Sequence, residues 1–390
     1  MSLYLSTKAA GWTLIRGARQ LLTLHHTRGP RRAVELANLG AITDGSVLLH
    51  NGVIEAVGPT RRVENLAQAR DAEEIDASGR VVMPAFIDAH ACLVQVTAGT
   101  VQNIPATRLE AQADQLLKIL ASHGTGSIGA VTGCALDASG EVKILRAMHA
   151  LQSRPVDLVP IAAVTNRVWA DEEVLRSVKG RKLASVAQVR CGEGGVSAAD
   201  TESFLTLAQR LGFAVRCEMA RGHDAGMVEA AIRLQALSIS VMEGFKRDEI
   251  EMLASSPTFA ILLPARNLAD ESPRLMRQLV DAGGWIALGS GLGPETDATG
   301  SMQTVVQLAC RRFGLTLEEA ICAATCNAAW ALGLGGLTGS LEHGKSADLI
   351  LLNASDYREI QHFEGTNLTH SLIKRGVVVC KEDFPGWPAD

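Results

Sequence analysis

From Val81 onward, short apolar runs alternate with longer stretches in which apolar positions recur every three or four residues. The runs are VVMPAFID, SIGAV, DLVPIAAV, ASVAQVR, FAVRCEM, LSISVM, TFAILLP and WIALGS. Their length and β-branched content predict strands. Stretches such as RLEAQADQLLKILASHG and ADTESFLTLAQRLG predict amphipathic helices, each closed by a glycine at the C-cap position. Eight strands separated by helices predict a closed parallel barrel, because parallel neighbours need crossover helices and closure leaves no unpaired edge.

The pattern on either side of this region is different. Residues 11 to 59 alternate short apolar segments with turn signals, and Asn51-Gly52 between two strand-like runs predicts a tight hairpin. After two further helices, at 301 to 313 and 316 to 333, the segments DLILLN and SLIKRGVVV return to a β pattern. The simplest arrangement is an α/β chain in three stretches. Residues 1–80 and 336–390 together form a small composite β-sandwich, and residues 81–335 form a (β/α)8 TIM-like barrel inserted between them.

Composition narrows the function classes. With 47% hydrophobic and 20% charged residues the chain has the balance of an ordered globular protein. A net charge of -5 and 4% aromatics provide neither the basic footprint nor the stacking surface of a nucleic-acid binder. The opening MSLYLSTKAAGW lacks the features of a signal peptide and no apolar run reaches the length of a membrane span, which points to the cytoplasm and to no membrane partner. The eight cysteines of such a chain read as free thiols. Cys322 and Cys326, four apart, are expected on one helix face as packing residues.

A barrel of this type places its chemistry at the carboxyl ends of its strands. Strand one ends in Asp88, His90 and Cys92, and strict alternation would turn His90 and Cys92 to one face. Strand five ends in Arg216-Cys-Glu-Met-Ala-Arg221, which contributes Glu218. His90, Cys92 and Glu218 with an open fourth position would make a zinc arrangement. Strand eight ends in LGSGLGP, which lacks a general base and also lacks the spacing of a nucleotide loop. Glu342 to Lys345 reads as a charged turn, and His25-His26 as a surface pair.

These strands, with GSLEHGKSADLILLN, resemble the amidohydrolase superfamily, whose first strand carries P-G-F-I-D-x-H-x-H and whose closing β domain carries G-x-[IL]-x-x-G-K-x-A-D. Within it the chain is most similar to the imidazolonepropionases, through LIRGARQLLTL, LDASGEVKILRAM, FAILLPA, GPETDATGSMQTVVQLAC and DYREIQHFEGTNLTHSLIKRG. The resemblance implies a metal-dependent hydrolase barrel acting on a cyclic amide in histidine breakdown, with zinc or iron as cofactor and relatives that often dimerise. It also implies where the chemistry should lie, and the residues there differ. The H-x-H pair falls on His90 and Cys92, the strand-five histidine on Glu218, and the acidic residue closing that segment on Arg221. The strand-six histidine falls on Val241, the strand-eight aspartate on Gly291 and its neighbouring asparagine on Gly293. Of the substrate-contact positions, a tyrosine falls on Cys134 and a histidine on Asn166, and the arginine expected after H-x-H has no counterpart in LVQVTAGT.

Three readings follow. In the first, the scaffold has lost both metal and reaction, so no catalytic residue is assigned and no cofactor is expected. In the second, His90, Cys92 and Glu218 bind zinc or iron and Glu243 or Asp88 serves as base. In the third, the barrel mouth, with Cys134, Asn166 and Arg221 as its contact positions, binds a small molecule, or the chain partners an active relative. Arg221 and Arg167 would then hold a carboxylate.

Overall fold

The computed structural model describes residues 11–25, 29–96, 100–133, 137–164, 171–192, 195–220, 222–223, 226–241, 245–266, 272–293 and 299–381. The chain begins with β1 (Trp12–Leu22), β2 (Ala41–His50) and β3 (Val53–Pro59), an antiparallel meander. Asn51 and Gly52 both take positive φ, 49° and 78°, as a two-residue type I′ hairpin requires. A side chain at Gly52 would collide with the Arg375 carbonyl oxygen, so this turn also docks against the far end of the chain. After α1 (Thr60–Val63) come β4 (Glu73–Asp76) and β5 (Val81–Pro84).

The barrel strands follow: β6 (Phe86–Ala91), β7 (Thr125–Val131), β8 (Asp157–Val164), β9 (Val186–Cys191), β10 (Ala214–Met219), β11 (Ser238–Val241), β12 (Phe259–Leu262) and β13 (Ile286–Leu288). All neighbours pair in parallel, in the order β6 to β13. Between them run α2 (Ala106–Ser122), α3 (Ala138–Ala150), α4 (Glu172–Gly180), α5 (Ala198–Arg210), α6 (Met227–Arg233), α7 (Arg247–Ala254) and α8 (Ser272–Asp281). α9 (Met302–Phe313), α10 (Leu317–Ala323) and α11 (Cys326–Ala331) lead to β14 (Leu349–Leu352), α12 (Glu359–His362), β15 (Thr369–Lys374) and β16 (Val377–Lys381). The eight expected strands thus form the barrel-shaped sheet, and the remaining eight form one separate mixed sheet. Among the described residues no helix is long and apolar enough to cross a membrane.

Two expectations are corrected. The run VVMPAFID is not one strand. Val81–Pro84 pairs with β1 and with β14 in the mixed sheet, and the barrel strand starts at Phe86, with only Ala85 between them. Every residue of both pieces is buried, and a strand covered on both faces shows no alternation that would mark where one sheet ends. The helix expected over 316 to 333 is broken, so that Cys322 and Cys326 lie on α10 and α11 and not on one helix face. Thr325 sits at the break with its hydroxyl donating to the Ile321 carbonyl, while the Asn327 amide donates to the carbonyls of Arg31 and Ile286 and accepts from Arg31 N–H. These bonds seat Ala328 to Leu332 against the strand starts. Together with Ile87, Val131, Ile161, Val186, Ile261 and Ala287, they form an apolar cluster drawn from β6 to β9, β12 and β13, which fills the lumen.

Lys374 joins the two sheets. It is fully buried, and its ammonium lies 2.6 Å from Asp348 Oδ2 and 2.8 Å from Asp157 Oδ2, at the start of β8. Arg375 adds an ion pair to Asp157 and donates its backbone N–H to Asp348. A buried ion pair broken on one side leaves the other charge without compensation. Replacing Lys374 by Met is therefore expected to cost about 3–5 kcal/mol of stability, measured as a drop in the urea midpoint with an unchanged slope.

Candidate functional site

Above the apolar cluster the lumen becomes polar. Gln188, Arg216 and Ser238 stand side by side in register on β9, β10 and β11, and Arg190, Glu218 and Ser240 form the next level toward the carboxyl ends. Successive residues of a strand point to opposite faces, so Arg216 and Glu218 share the face that meets His90. Arg216 is wholly buried. Its Nη1 donates to the Ala89 carbonyl at 3.1 Å and its Nη2 to Ser240 Oγ at 2.9 Å, and Nη2 also lies 3.4 Å from His90 Nδ1. Ser240 Oγ is 2.9 Å from the same Nδ1. On the other side of the ring, Nε2 is 3.8 Å from Glu218 Oε2, which accepts from Gln188 Nε2 at 2.8 Å, and Glu218 Oε1 is 3.6 Å from Arg190 Nε.

The electrostatics follow from burial and three cations. Desolvation, then the charges of Arg216, Arg266 and Arg190, hold His90 well below its ordinary value of 6.5, so its ring is neutral. Burial lowers Arg216 to about 10, which still leaves it charged at neutral pH. Asp88 is pushed up to about 6 by burial, against the hydrogen bonds it accepts.

His90 and Glu218 come together as the sequence suggests, but Cys92 does not join them. Its thiol donates to the Val94 carbonyl at 3.3 Å and packs in the outer apolar core. The alternation argument fails because the three steps along β6 from Asp88 to Ala91 are matched by only two along β7 from Ile128 to Ala130. One extra residue shifts the phase of side chains beyond it. Among the described residues no three His, Cys, Asp or Glu side chains form a ligand group. Cys134, Asn166, Arg167, Arg221 and Glu243 lie outside the described residues, as does the Val241 side chain. Gly291 takes a φ of +66°, where an aspartate would be strained, and its N–H donates to the His90 carbonyl.

Neither motif nor ligand chemistry marks Arg216, Ser240 and Gln188 in the sequence. The available signal was a pair of charges two apart, Arg216 and Glu218, within the barrel strand AVRCEM, where alternation turns both to the same face.

Asp88 acts as the seam of the barrel. β6 and β13 are not joined by a ladder. Instead, Asp88 Oδ1 accepts from the backbone N–H of His90 at 3.1 Å and of Ser290 at 2.9 Å, while Cys92 N–H donates to the Leu292 carbonyl. Asp88→Ala strands two buried N–H groups and is expected to destabilise by about 2–5 kcal/mol. Asp88→Asn keeps the acceptor and should lie within about 1 kcal/mol of the parent, both read by chemical denaturation.

A second polar pair sits just past β10. His223 has an acceptor at each ring nitrogen, Glu249 Oε1 at 2.9 Å and the Ala220 carbonyl at 3.3 Å, an arrangement that favours the doubly protonated ring. The bond to Glu249 raises His223 above its ordinary 6.5. Burial works to raise Glu249, but the bonds from His223 and Lys246 N–H outweigh it and hold the carboxyl below 4.5. The histidine's contribution is complete below its unfolded value and is lost as pH rises through its folded one. The glutamate's is complete above its unfolded value and is lost as pH falls through its folded one. The stability difference between the parent and Glu249→Gln should therefore be largest between pH 4.5 and 6.5 and shrink on both sides, as urea midpoints across pH will report.

Residues 220–379 match the model of the amidohydrolase family. The chain is 30% identical to the imidazolonepropionase of Parabacteroides distasonis, over 93% of this chain and 97% of that protein. It is 31% identical to that of Deinococcus radiodurans, over 93% and 98%. Its fold is similar to E. coli guanine deaminase, with a TM-score of 0.74 and 15% identity over 95% of this chain and 99% of that one. It is similar also to A. niger ochratoxinase, with a TM-score of 0.72 and 17% identity over 95% of each chain.

Proposed function

Because the chain belongs to the amidohydrolase superfamily, we propose that it is an imidazolonepropionase-like member whose family reaction, hydrolysis of a cyclic amide C–N bond, has been lost. The observation that carries this reading is the buried guanidinium of Arg216 against His90. A metal in such a site activates water and polarises the scissile carbonyl. The residues present do not suit one. A divalent ion on His90 would lie within a ring's width of a fixed positive charge, a repulsion of several kcal/mol in a partly desolvated site. Cys92 is committed to Val94, and the position where the resemblance places the metal-binding aspartate is Gly291.

Loss of the base compounds the loss of the ion. General acid–base help contributes roughly 10²–10⁴-fold, and neither a glycine at 291 nor the neighbouring Ser290 accepts a proton at neutral pH. Ser290 N–H is also held by Asp88.

Elemental analysis of the protein purified from cells grown with added zinc and iron, paired with turnover of imidazolonepropionate, tests the reading. Metal well below one equivalent and no turnover above the uncatalysed rate are expected. One equivalent of metal together with sustained turnover would refute it.

A further inference from the structure

We infer that Arg216, acting through Ser240, fixes His90 as its Nε2–H tautomer, so that the ring turns an N–H donor toward Glu218 at the barrel mouth in place of a lone pair. This deepens the reading of the site given above and rests on it. The argument is one of hydrogen-bond direction. A guanidinium has only donors, so at 2.9 Å from Arg216 Nη2 the Ser240 oxygen accepts. A hydroxyl that accepts there has its single proton left to give, and His90 Nδ1 lies 2.9 Å away. Arg216 Nη2 faces the same nitrogen at 3.4 Å, so Nδ1 is approached by two donors. A neutral imidazole that accepts at Nδ1 carries its proton on Nε2.

The far side of the ring is consistent with this assignment. Nε2 looks toward Glu218 Oε2 at 3.8 Å, and the carboxylate is otherwise approached by Gln188 Nε2 and Arg190 Nε, both donors. The Nε2–H therefore completes a ring of donors around one acceptor. The opposite tautomer would set an N–H against a hydroxyl already held by a cation and a lone pair against a carboxylate. Arg216 is thus a positioning residue. Through Ser240 it decides what kind of atom the first barrel strand offers to a ligand, a donor for carbonyl or carboxylate oxygen.

The test is a nitrogen–proton correlation spectrum of the full chain with labelled histidine rings at pH 8, with the His90 signals assigned by their absence in His90→Gln. The intact protein is expected to show the Nε2–H pattern alone for His90. In Arg216→Ala both tautomer patterns should appear. Methylguanidinium, but not sodium chloride at equal ionic strength, should restore the single pattern. An Nδ1–H pattern in the intact protein overturns the inference, and so does an Arg216→Ala spectrum unchanged from it. Failure of methylguanidinium to restore the pattern assigns the effect to lost packing and also overturns the role of the charge. If Arg216→Ala does not fold, the spectrum of the intact protein decides alone. A stoichiometric metal in elemental analysis sinks the reading of the site itself, whereas a metal-free protein with Nδ1–H sinks only the tautomer.

Discussion

A charge enclosed in a barrel must be answered by dipoles around it, and the centre of this protein is organised by that requirement. Arg216 projects from the middle of β10 into the lumen, where it is wholly buried and where, among the described residues, no carboxylate lies within ion-pair distance. Its solvation is rebuilt from a backbone carbonyl, a serine hydroxyl and the edge of a histidine ring. Each of these groups is held in turn. The Ala89 carbonyl and His90 lie in β6, at its bulge, and Ser240 in β11, so one side chain of β10 sets its spacing to two other strand ends. The level below is purely apolar and the level above carries the single acid Glu218. The lumen is thus graded from oil to cation to ion pair over a few residues of strand.

The same principle recurs at the other end of the barrel with opposite composition. There a lysine from the mixed sheet is enclosed between two aspartates, one from each sheet's neighbourhood. Lys374 and Arg216 do different things. Lys374 has direct anionic partners and locks one sheet to the other. Arg216 has neutral partners and fixes their orientation. Asp88, between the two in function, uses one carboxylate oxygen to close the sheet where no ladder does.

The barrel was legible because its strands and helices differ in period, and the β2–β3 hairpin because Asn-Gly has few other uses. What the pattern could not carry was any event that happens without a change of hydrophobicity. The passage from β5 to β6 at Ala85 crosses between sheets inside one continuous apolar run. The break at Thr325 interrupts a helix whose flanking residues, Ala324 and Cys326, are as apolar as its interior. In the site, His90 and Glu218 stand out in the sequence by residue type. Cys92 was misplaced because a bulge costs one residue and leaves no trace in composition. Arg216 was within view, two positions before Glu218, but an arginine is so often a solvated charge that type alone gave it no weight. Only its place on the strand distinguishes it.

The direct step from β5 into β6 has a consequence for synthesis. β5 lies between β1, made early, and β14, whose residues leave the ribosome more than 260 positions later. Through the whole emergence of the barrel, Val81–Pro84 is a fully apolar strand with one unpaired edge, held rigidly beside the first barrel strand with no linker to fold it away. The nascent chain therefore carries an adhesive edge at the foot of its barrel until its last strands arrive, and shortened products that end before Leu349 keep that edge for good.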